Sequence, residues 1–220
     1  MNISNRLKTV ASFVLDNSYV IDVGCDHALL SIYLVKNKKN IKVIASDINE
    51  KPLMGAIKNI KKHNVEDKIL VKQMNGISDI DESVDTIIIS GMGTSTILDI
   101  LFSDIKKLDS IKRIIISSNN DYYKLRSNMC KNGFIIVDEE IVYEKGKYYP
   151  IIVFEKGRRK YLYLDLSYGP ILIKNKSLIF TNYIKDILNK KINIFNRLSN
   201  KYIFKKYKLK KEIRMISKII

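Results

Sequence analysis

Tyr19-Val20-Ile21-Asp22-Val23-Gly24-Cys25-Asp26-His27-Ala28 reads as an apolar strand running into a loop with one glycine, flanking acids and a histidine. Leu29, Leu30, Ile32, Tyr33 and Leu34 then begin a helix. Strand, tight loop and helix in that order is how an α/β sheet builds a nucleotide pocket at its carboxyl edge. A second apolar run, Val43-Ile44-Ala45-Ser46, is closed by Asp47, with Ile48 beside it. A carboxylate at that distance from the loop accepts hydrogen bonds from two ribose hydroxyls. The two features together predict a site for an adenosine-containing cofactor.

Further units flank this one. Ser4 to Leu15 reads as an amphipathic helix, with Leu7, Val10, Ala11, Val14 and Leu15 on one face. Asn49 is placed to cap a helix running to about His63, with Pro52 in its first turn. Ile69-Leu70-Val71 is a third strand, ending at Gln73-Met74-Asn75-Gly76. Val84 to Ser90 is a fourth, followed by Gly91-Met92-Gly93 and a helix from Ser95 that carries Ile97, Leu98, Ile100, Leu101 and Ile105. Ile111 to Ile116 is a fifth, followed by Ser117-Ser118-Asn119-Asn120 and a helix over Tyr122 to Lys131. Continuous apolar strands predict a parallel sheet covered on both faces. Phe134 to Glu144 and Lys147 to Glu155, joined by Lys145-Gly146, predict an antiparallel hairpin.

Five parallel units closed by a hairpin resemble the class I methyltransferase plan, a Rossmann-like, mostly parallel seven-stranded sheet with one antiparallel strand. A usual NAD-binding domain would continue with another parallel crossover. Loop chemistry points the same way. Asp22-Val23-Gly24-Cys25-Asp26 is not a G-x-G-x-x-G, and a pyrophosphate needs several glycines because it approaches the backbone closely. S-adenosylmethionine (SAM) has no phosphate, so one glycine and nearby carboxylates suit it, with Asp22 placed to attract its ammonium group. Asn75-Gly76 stands where such a site holds adenine, although a plain turn is the commoner meaning of that dipeptide. Ser90-Gly91-Met92-Gly93 stands where the methyl is transferred, and its glycines let backbone approach a flat substrate. A flexible strand-to-helix loop is the other reading. Neither His27 nor His63 has a Cys/His cluster around it, so no metal is expected. Cys25 is no nucleophile, since an adjacent carboxylate raises a thiol pKa.

At 220 residues, one α/β domain plus an appendage is expected. Two cysteines suit a reducing compartment. The start, Met1-Asn2-Ile3-Ser4-Asn5-Arg6, lacks the apolar core of a signal peptide, and no apolar run approaches the ~20 residues of a membrane span. A cytoplasmic protein that does not bind membrane is expected. The net charge is +16. Of 39 Lys and Arg, 18 lie from Lys156 onward, against 3 of the 23 Asp and Glu, so the preceding residues hold the other 21 and 20. Positive charge gathered in the last third points to a polyanion, nucleic acid or membrane surface. A solvated basic helix face is the plainer alternative.

Gly157 to Lys174 reads as a polar-aromatic connector with a turn at Tyr168-Gly169-Pro170. Ile184, Leu188, Ile192, Phe195 and Leu198, then Tyr202, Leu209, Ile213, Ile216 and Ile220, recur at helical spacing. They predict a coiled-coil-like helical hairpin with a corner at Ser199-Asn200 and lysines on its outer face. A single bent helix is the other option. The expected division is a SAM-binding domain over 1–158 and a connector with basic helices over 159–220. A hairpin that buries its own seam predicts a monomer.

Ser4-Asn5-Arg6-Leu7 with Val10-Ala11, the Asp22 to Ala28 loop, Gly91-Met92-Gly93, Asn119, Lys147-Tyr148-Tyr149 and Gly169-Pro170 resemble the bacterial tRNA (adenine-22-N1)-methyltransferase family, along the whole chain. The resemblance implies methyl transfer from SAM to N1 of an adenine in the D-arm region of tRNA. It implies catalytic roles for Asp26 and Asn119. It implies a cofactor cradle of Asp22, Gly24, His27, Asp47, Ile48, Asn75, Gly76, Ser90, Gly91 and Met92. The chain departs from the family pattern at Leu29 (commonly Tyr), Asp47 (often Glu), Thr94 (a third glycine) and Ser117-Ser118 (often Gln-Pro). Two rival functions are a SAM methyltransferase of protein or small molecules and a non-catalytic RNA- or membrane-binding module. The one-sided lysine excess argues against the first, and the intact Asp22, Gly24 and Asp47 against the second.

Overall fold

The structure, a computed structural model, describes residues 3–199 and 201–220. Met1, Asn2 and the expected corner residue Asn200 lie outside the described residues. The elements in chain order are α1 (Asn5–Ser12), β1 (Tyr19–Val23), α2 (Leu29–Asn37), β2 (Lys42–Asp47), α3 (Glu50–Lys62), β3 (Ile69–Gln73), β4 (Thr86–Ser90), α4 (Thr94–Phe102), β5 (Arg113–Ser117), α5 (Tyr122–Lys131), β6 (Phe134–Glu144), β7 (Lys147–Lys156), α6 (Tyr163–Tyr168), α7 (Pro170–Asn175), α8 (Leu178–Arg197) and α9 (Ile203–Ser217). The chain forms two compact units, Met1–Lys160 and Tyr161–Ile220.

The first unit is built on a seven-stranded sheet in the order β3-β2-β1-β4-β5-β7-β6. β1 to β5 run parallel, and β7 lies antiparallel between β5 and β6. This is the predicted class I methyltransferase plan, reversed strand included. The cause is the two-residue turn Lys145-Gly146, which sends β7 back along β6 and into the space beside β5. Ile87, Ile88 and Ile89 of β4 and Ile114, Ile115 and Ile116 of β5 are fully buried on both faces. Each such side chain contributes about 1.5–3 kcal/mol of transfer free energy, so the two central strands anchor the loops at their carboxyl ends. A buried ion pair, Arg126 Nε donating to Glu139 Oε1 at 2.7 Å, fixes α5 against β6.

Several expectations need correction. The helix after β4 ends at Phe102; Ile105 lies in a separate 3-10 turn over Ile105–Leu108 and is exposed. Asp104 starts that turn by accepting a hydrogen bond from the Lys106 N–H. Asn49 occupies the N-cap of α3 without a side-chain cap. Its own N–H instead donates to Asp47 Oδ1 at 2.9 Å. The connector is not irregular, because α6 and α7 fill much of it, α7 starting on Pro170 as its preset φ favours.

In the second unit, Leu172, Phe180, Ile184, Ile216 and Ile219 are buried. Lys191 Nζ on α8 donates to Glu212 Oε2 on α9 at 2.6 Å. The expected seam does not run the length of these helices. Tyr202 is 61% exposed and Ile220 44%, while its neighbour Ile219 is buried in its place. Phe204 and Tyr207 also face solvent, amid Lys205, Lys206 and Lys208.

Candidate active site

The loops that follow the parallel strands are tied into one row. The N–H groups of Gly24 and Cys25 both donate to the Ser46 carbonyl, at 2.8 and 2.9 Å, joining the β1 loop to β2. Met74 N–H donates to the Asp47 carbonyl, and Gln73 Nε2 to the Ile48 carbonyl, which brings Asp47, Ile48 and the Asn75-Gly76 turn together. Asn119 Nδ2 donates to the Gly91 carbonyl at 2.5 Å, and the Asn119 N–H to the Met92 carbonyl at 2.9 Å. The Met92 side chain reaches back to the β1 loop: a Cβ on Gly24 would lie 2.2 Å from Met92 Cε. Gly24 has φ +71°, a second reason for glycine there. Thus Gly24, Asp47, Ile48, Asn75, Gly76, Ser90, Gly91, Met92 and Asn119 share the carboxyl edge.

Asp22 is beneath this row rather than in it. It is buried, and Ser31 Oγ on α2 donates to its Oδ2 at 2.7 Å. Burial pushes its carboxyl up to about 6, against a smaller opposing effect of the Ser31 hydrogen bonds. The Ser31 hydrogen bond engages one carboxylate oxygen of Asp22, the group expected to attract an ammonium. Asp22 anchors the first turn of α2 and holds a negative charge under the loop.

Asp26 and His27 lie to one side. Asp26 (φ +50°) and Ala28 (φ +55°) are both left-handed without being glycine, and such strain gathers at functional loops. Both Asp26 and His27 are exposed, with His27 Nε2 3.6 Å from Asp26 Oδ1. The His27 ring packs on α3, where a Cβ on Gly55 would stand 2.4 Å from its Nδ1. Asn59 Nδ2 donates to the His27 carbonyl at 3.0 Å. Gly55 was missed in the sequence, although a lone glycine inside a helix is a signal of close approach.

The Cys25 thiol is raised strongly, by burial first, then by Asp22 and Asp47 and last by Asp26. It is an inert wall residue. Among the described residues no group of three or more His, Cys, Asp or Glu could hold a metal ion. No helix there is long and apolar enough to cross a membrane.

A cavity of about 520 Å³ opens at the same edge. Gly91 and Asn119 form one wall, Ser4 and Arg6 another, and Glu144, Lys145, Lys147, Tyr148 and Tyr149 of the β6–β7 hairpin a third. Its cationic and aromatic lining comes from motifs given no role by the strand-loop pattern.

Whether the edge suits SAM can be tested on buried polar atoms. Ser90 and Ser117 are register partners, so their side chains share a face, which parity extends to Asp22 through Ile88. Both serine hydroxyls are buried without a hydrogen-bond partner. Buried polar groups are nearly always satisfied, so these two hydroxyls have hydrogen-bonding capacity left at the strand ends. The same carboxyl edge carries Gly24 in close contact with Met92, Asp47 at the end of β2 and the buried Asp22, a set that fits a cationic nucleoside without phosphates.

Residues 3–152 match the family model described as "Methyltransferase domain". The chain is 32% identical over 206 residues to the Bacillus subtilis (strain 168) tRNA (adenine(22)-N(1))-methyltransferase, covering 90% of this chain and 87% of that one. It superposes on a Streptococcus pneumoniae protein solved in complex with S-adenosyl-L-methionine at a TM-score of 0.90, with 35% identity over 99% of both chains. M. capricolum TrmK, solved with S-adenosyl-homocysteine, matches at a TM-score of 0.85 with 30% identity, over 98% of this chain and 96% of that one. The chain belongs to the methyltransferase-domain family and, within it, to the family of the tRNA (adenine(22)-N(1))-methyltransferases.

Proposed function

We propose that this chain methylates N1 of an adenine in tRNA, at position 22 as its relatives' name specifies, with SAM as donor. The observation that carries the reading is the row of loops joining the Gly24, Asp47 and Gly91-Met92 positions, in a family whose solved members hold SAM and its demethylated product. Bound SAM supplies an electrophilic sulfonium methyl.

The residues then divide the work. Asp47 accepts from the ribose hydroxyls, with Ile48 beside it, and Asn75-Gly76 holds the adenine of the donor. Ser90, Gly24, Gly91 and Met92 shape the channel. His27, seated on Gly55, holds the β1 loop in place. Adenine N1 has a free lone pair and needs no base to attack. Charge builds on the ring, and the exocyclic amine becomes acidic. Asn119 spends its amide hydrogen on Gly91, leaving its oxygen as an acceptor for that amine. As the N1–methyl bond forms and the methyl–sulfur bond breaks, the positive charge passes from the sulfonium to the ring, and Asp26 accepts a hydrogen bond from the amine and stabilises that charge. N1 is on the Watson–Crick edge, so the base must be unpaired or flipped out, costing a few kcal/mol.

We read residues 159–220 as the RNA-gripping part, on account of their lysines and the exposed Phe204 and Tyr207, onto which unpaired bases can stack. A monomeric, cytoplasmic enzyme suits the free Cys25 and Cys130 and the Lys191–Glu212 pairing inside that segment.

Transfer of labelled methyl from SAM into an unmodified tRNA transcript tests the reading. Asp26→Asn should cut transfer by about a hundredfold or more, the usual worth of a positioned group that stabilises developing charge, while SAM affinity is kept. Label appearing in protein or small molecules instead would reject the assignment.

A further inference from the structure

Arg6 stands in the first turn of α1, where the β6–β7 hairpin meets both its backbone and its side chain. The backbone N–H groups of Asn5 and Arg6 donate to the Glu144 carboxylate, at 3.3 and 3.4 Å, so the β6–β7 hairpin clamps the start of the helix. The guanidinium carbon lies 5.1 Å from the centre of the Tyr149 ring, a cation–π contact. Its two terminal nitrogens come within 3.7 and 4.0 Å of where a Cβ on Gly91 would be. The guanidinium thus overhangs the β4 loop from across the cavity.

The charge in this cavity is unbalanced. Arg6, Lys145 and Lys147 line it with one carboxylate, Glu144, which is already engaged by the helix amides. Among the described residues no carboxylate pairs with Arg6 or Lys147. A planar fork of donors set over an aromatic ring suits phosphate oxygens. The cofactor of the proposed reaction carries none, so the phosphate belongs to the RNA. Resting on that reading, we propose that Arg6 is a positioning residue: it grips a backbone phosphate beside the target nucleotide, with Lys147 in support, and aims the base at the Gly91-Met92 loop.

Binding of unmodified tRNA transcript, SAM calorimetry and steady-state kinetics on wild type, Arg6→Gln, Arg6→Lys and Lys147→Gln test this. Arg6→Gln should weaken tRNA binding about tenfold, as the loss of a charged hydrogen bond does. It should flatten the log–log salt dependence by about one unit and leave SAM affinity unchanged. Arg6→Lys should restore the salt slope but not kcat/KM, because the charge returns without the fork. Lys147, exposed on the hairpin, provides the same salt readout without disturbing α1. Wild-type tRNA affinity and salt slope in both Gln variants would overturn the proposal, as would a loss of SAM affinity in Arg6→Gln. Failure of the wild type to methylate tRNA would overturn the functional reading and this proposal with it. Methylation by the wild type with unaltered variants would overturn the proposal alone.

Discussion

Thr94 Oγ1 and Ser118 Oγ lie 2.8 Å apart, joining the start of α4 to the loop after β5. Both are buried, and Thr94 also donates to the Asn120 carbonyl at 2.6 Å. These are two of the positions where the sequence departs from its family's pattern, and they contact each other. The hydroxyl pair braces the loop that carries Asn119 against the start of α4. Thr94→Val keeps the shape and removes the hydroxyl. It should cost about 1–2 kcal/mol of stability, read by urea denaturation. With Ser118→Ala it should be non-additive in a double-mutant cycle. Strict additivity would show that the two hydroxyls act separately.

Gly55 is where the β1 loop meets α3. Alanine is favoured over glycine in a helix by about 1 kcal/mol, yet a Cβ there collides with the His27 ring. Gly55→Ala should therefore leave the melting temperature near that of the wild type while weakening SAM binding at least severalfold. Unchanged SAM titration would mean that the seat of His27 is irrelevant to the loop.

Stability should respond to pH through Asp22. Its pKa is raised from 3.8 to about 6, so the folded protein holds the proton more tightly than the unfolded chain. Its favourable contribution is full below pH 3.8 and is lost as pH rises through about 6. At 1.36 kcal/mol per unit, the buried charge costs on the order of 3 kcal/mol at pH 8. Asp22→Asn should gain on the wild type between pH 4 and pH 8 in denaturant midpoints. A pH-independent difference would show that Asp22 ionises freely.

The Arg126–Glu139 pair is buried on both sides, with side chains 1% and 0% exposed. Glu139→Gln alone should destabilise by about 3–5 kcal/mol, since an uncompensated charge is left inside. Replacing both partners, as Arg126→Met with Glu139→Leu, should recover most of the loss. A double variant as unstable as the single one would point to packing rather than charge.

β2, β4 and β5 were legible because each is an apolar run ended by Ser or Asp, and the Lys145-Gly146 turn disclosed the reversed strand. Less visible was what depends on distant partners. The Ser31 hydroxyl that bonds Asp22 stands on the next helix and gives no sign in the strand-loop pattern. Arg6 and Tyr149 are more than 140 positions apart and meet only when β6 and β7 return to α1. α6 and α7 are six residues each, too short for periodicity to register. Helical spacing placed Tyr202 and Ile220 in a seam, but spacing does not reveal where a partner helix stops covering it.

The chemistry itself is tested most directly by giving the wild-type chain SAM and an unmodified tRNA transcript, then digesting the RNA and identifying nucleosides by mass spectrometry. The account predicts 1-methyladenosine, at one position in the D-arm region, made in proportion to SAM consumed. Methylation of another base, of another atom of adenine, or no RNA methylation at all would contradict it.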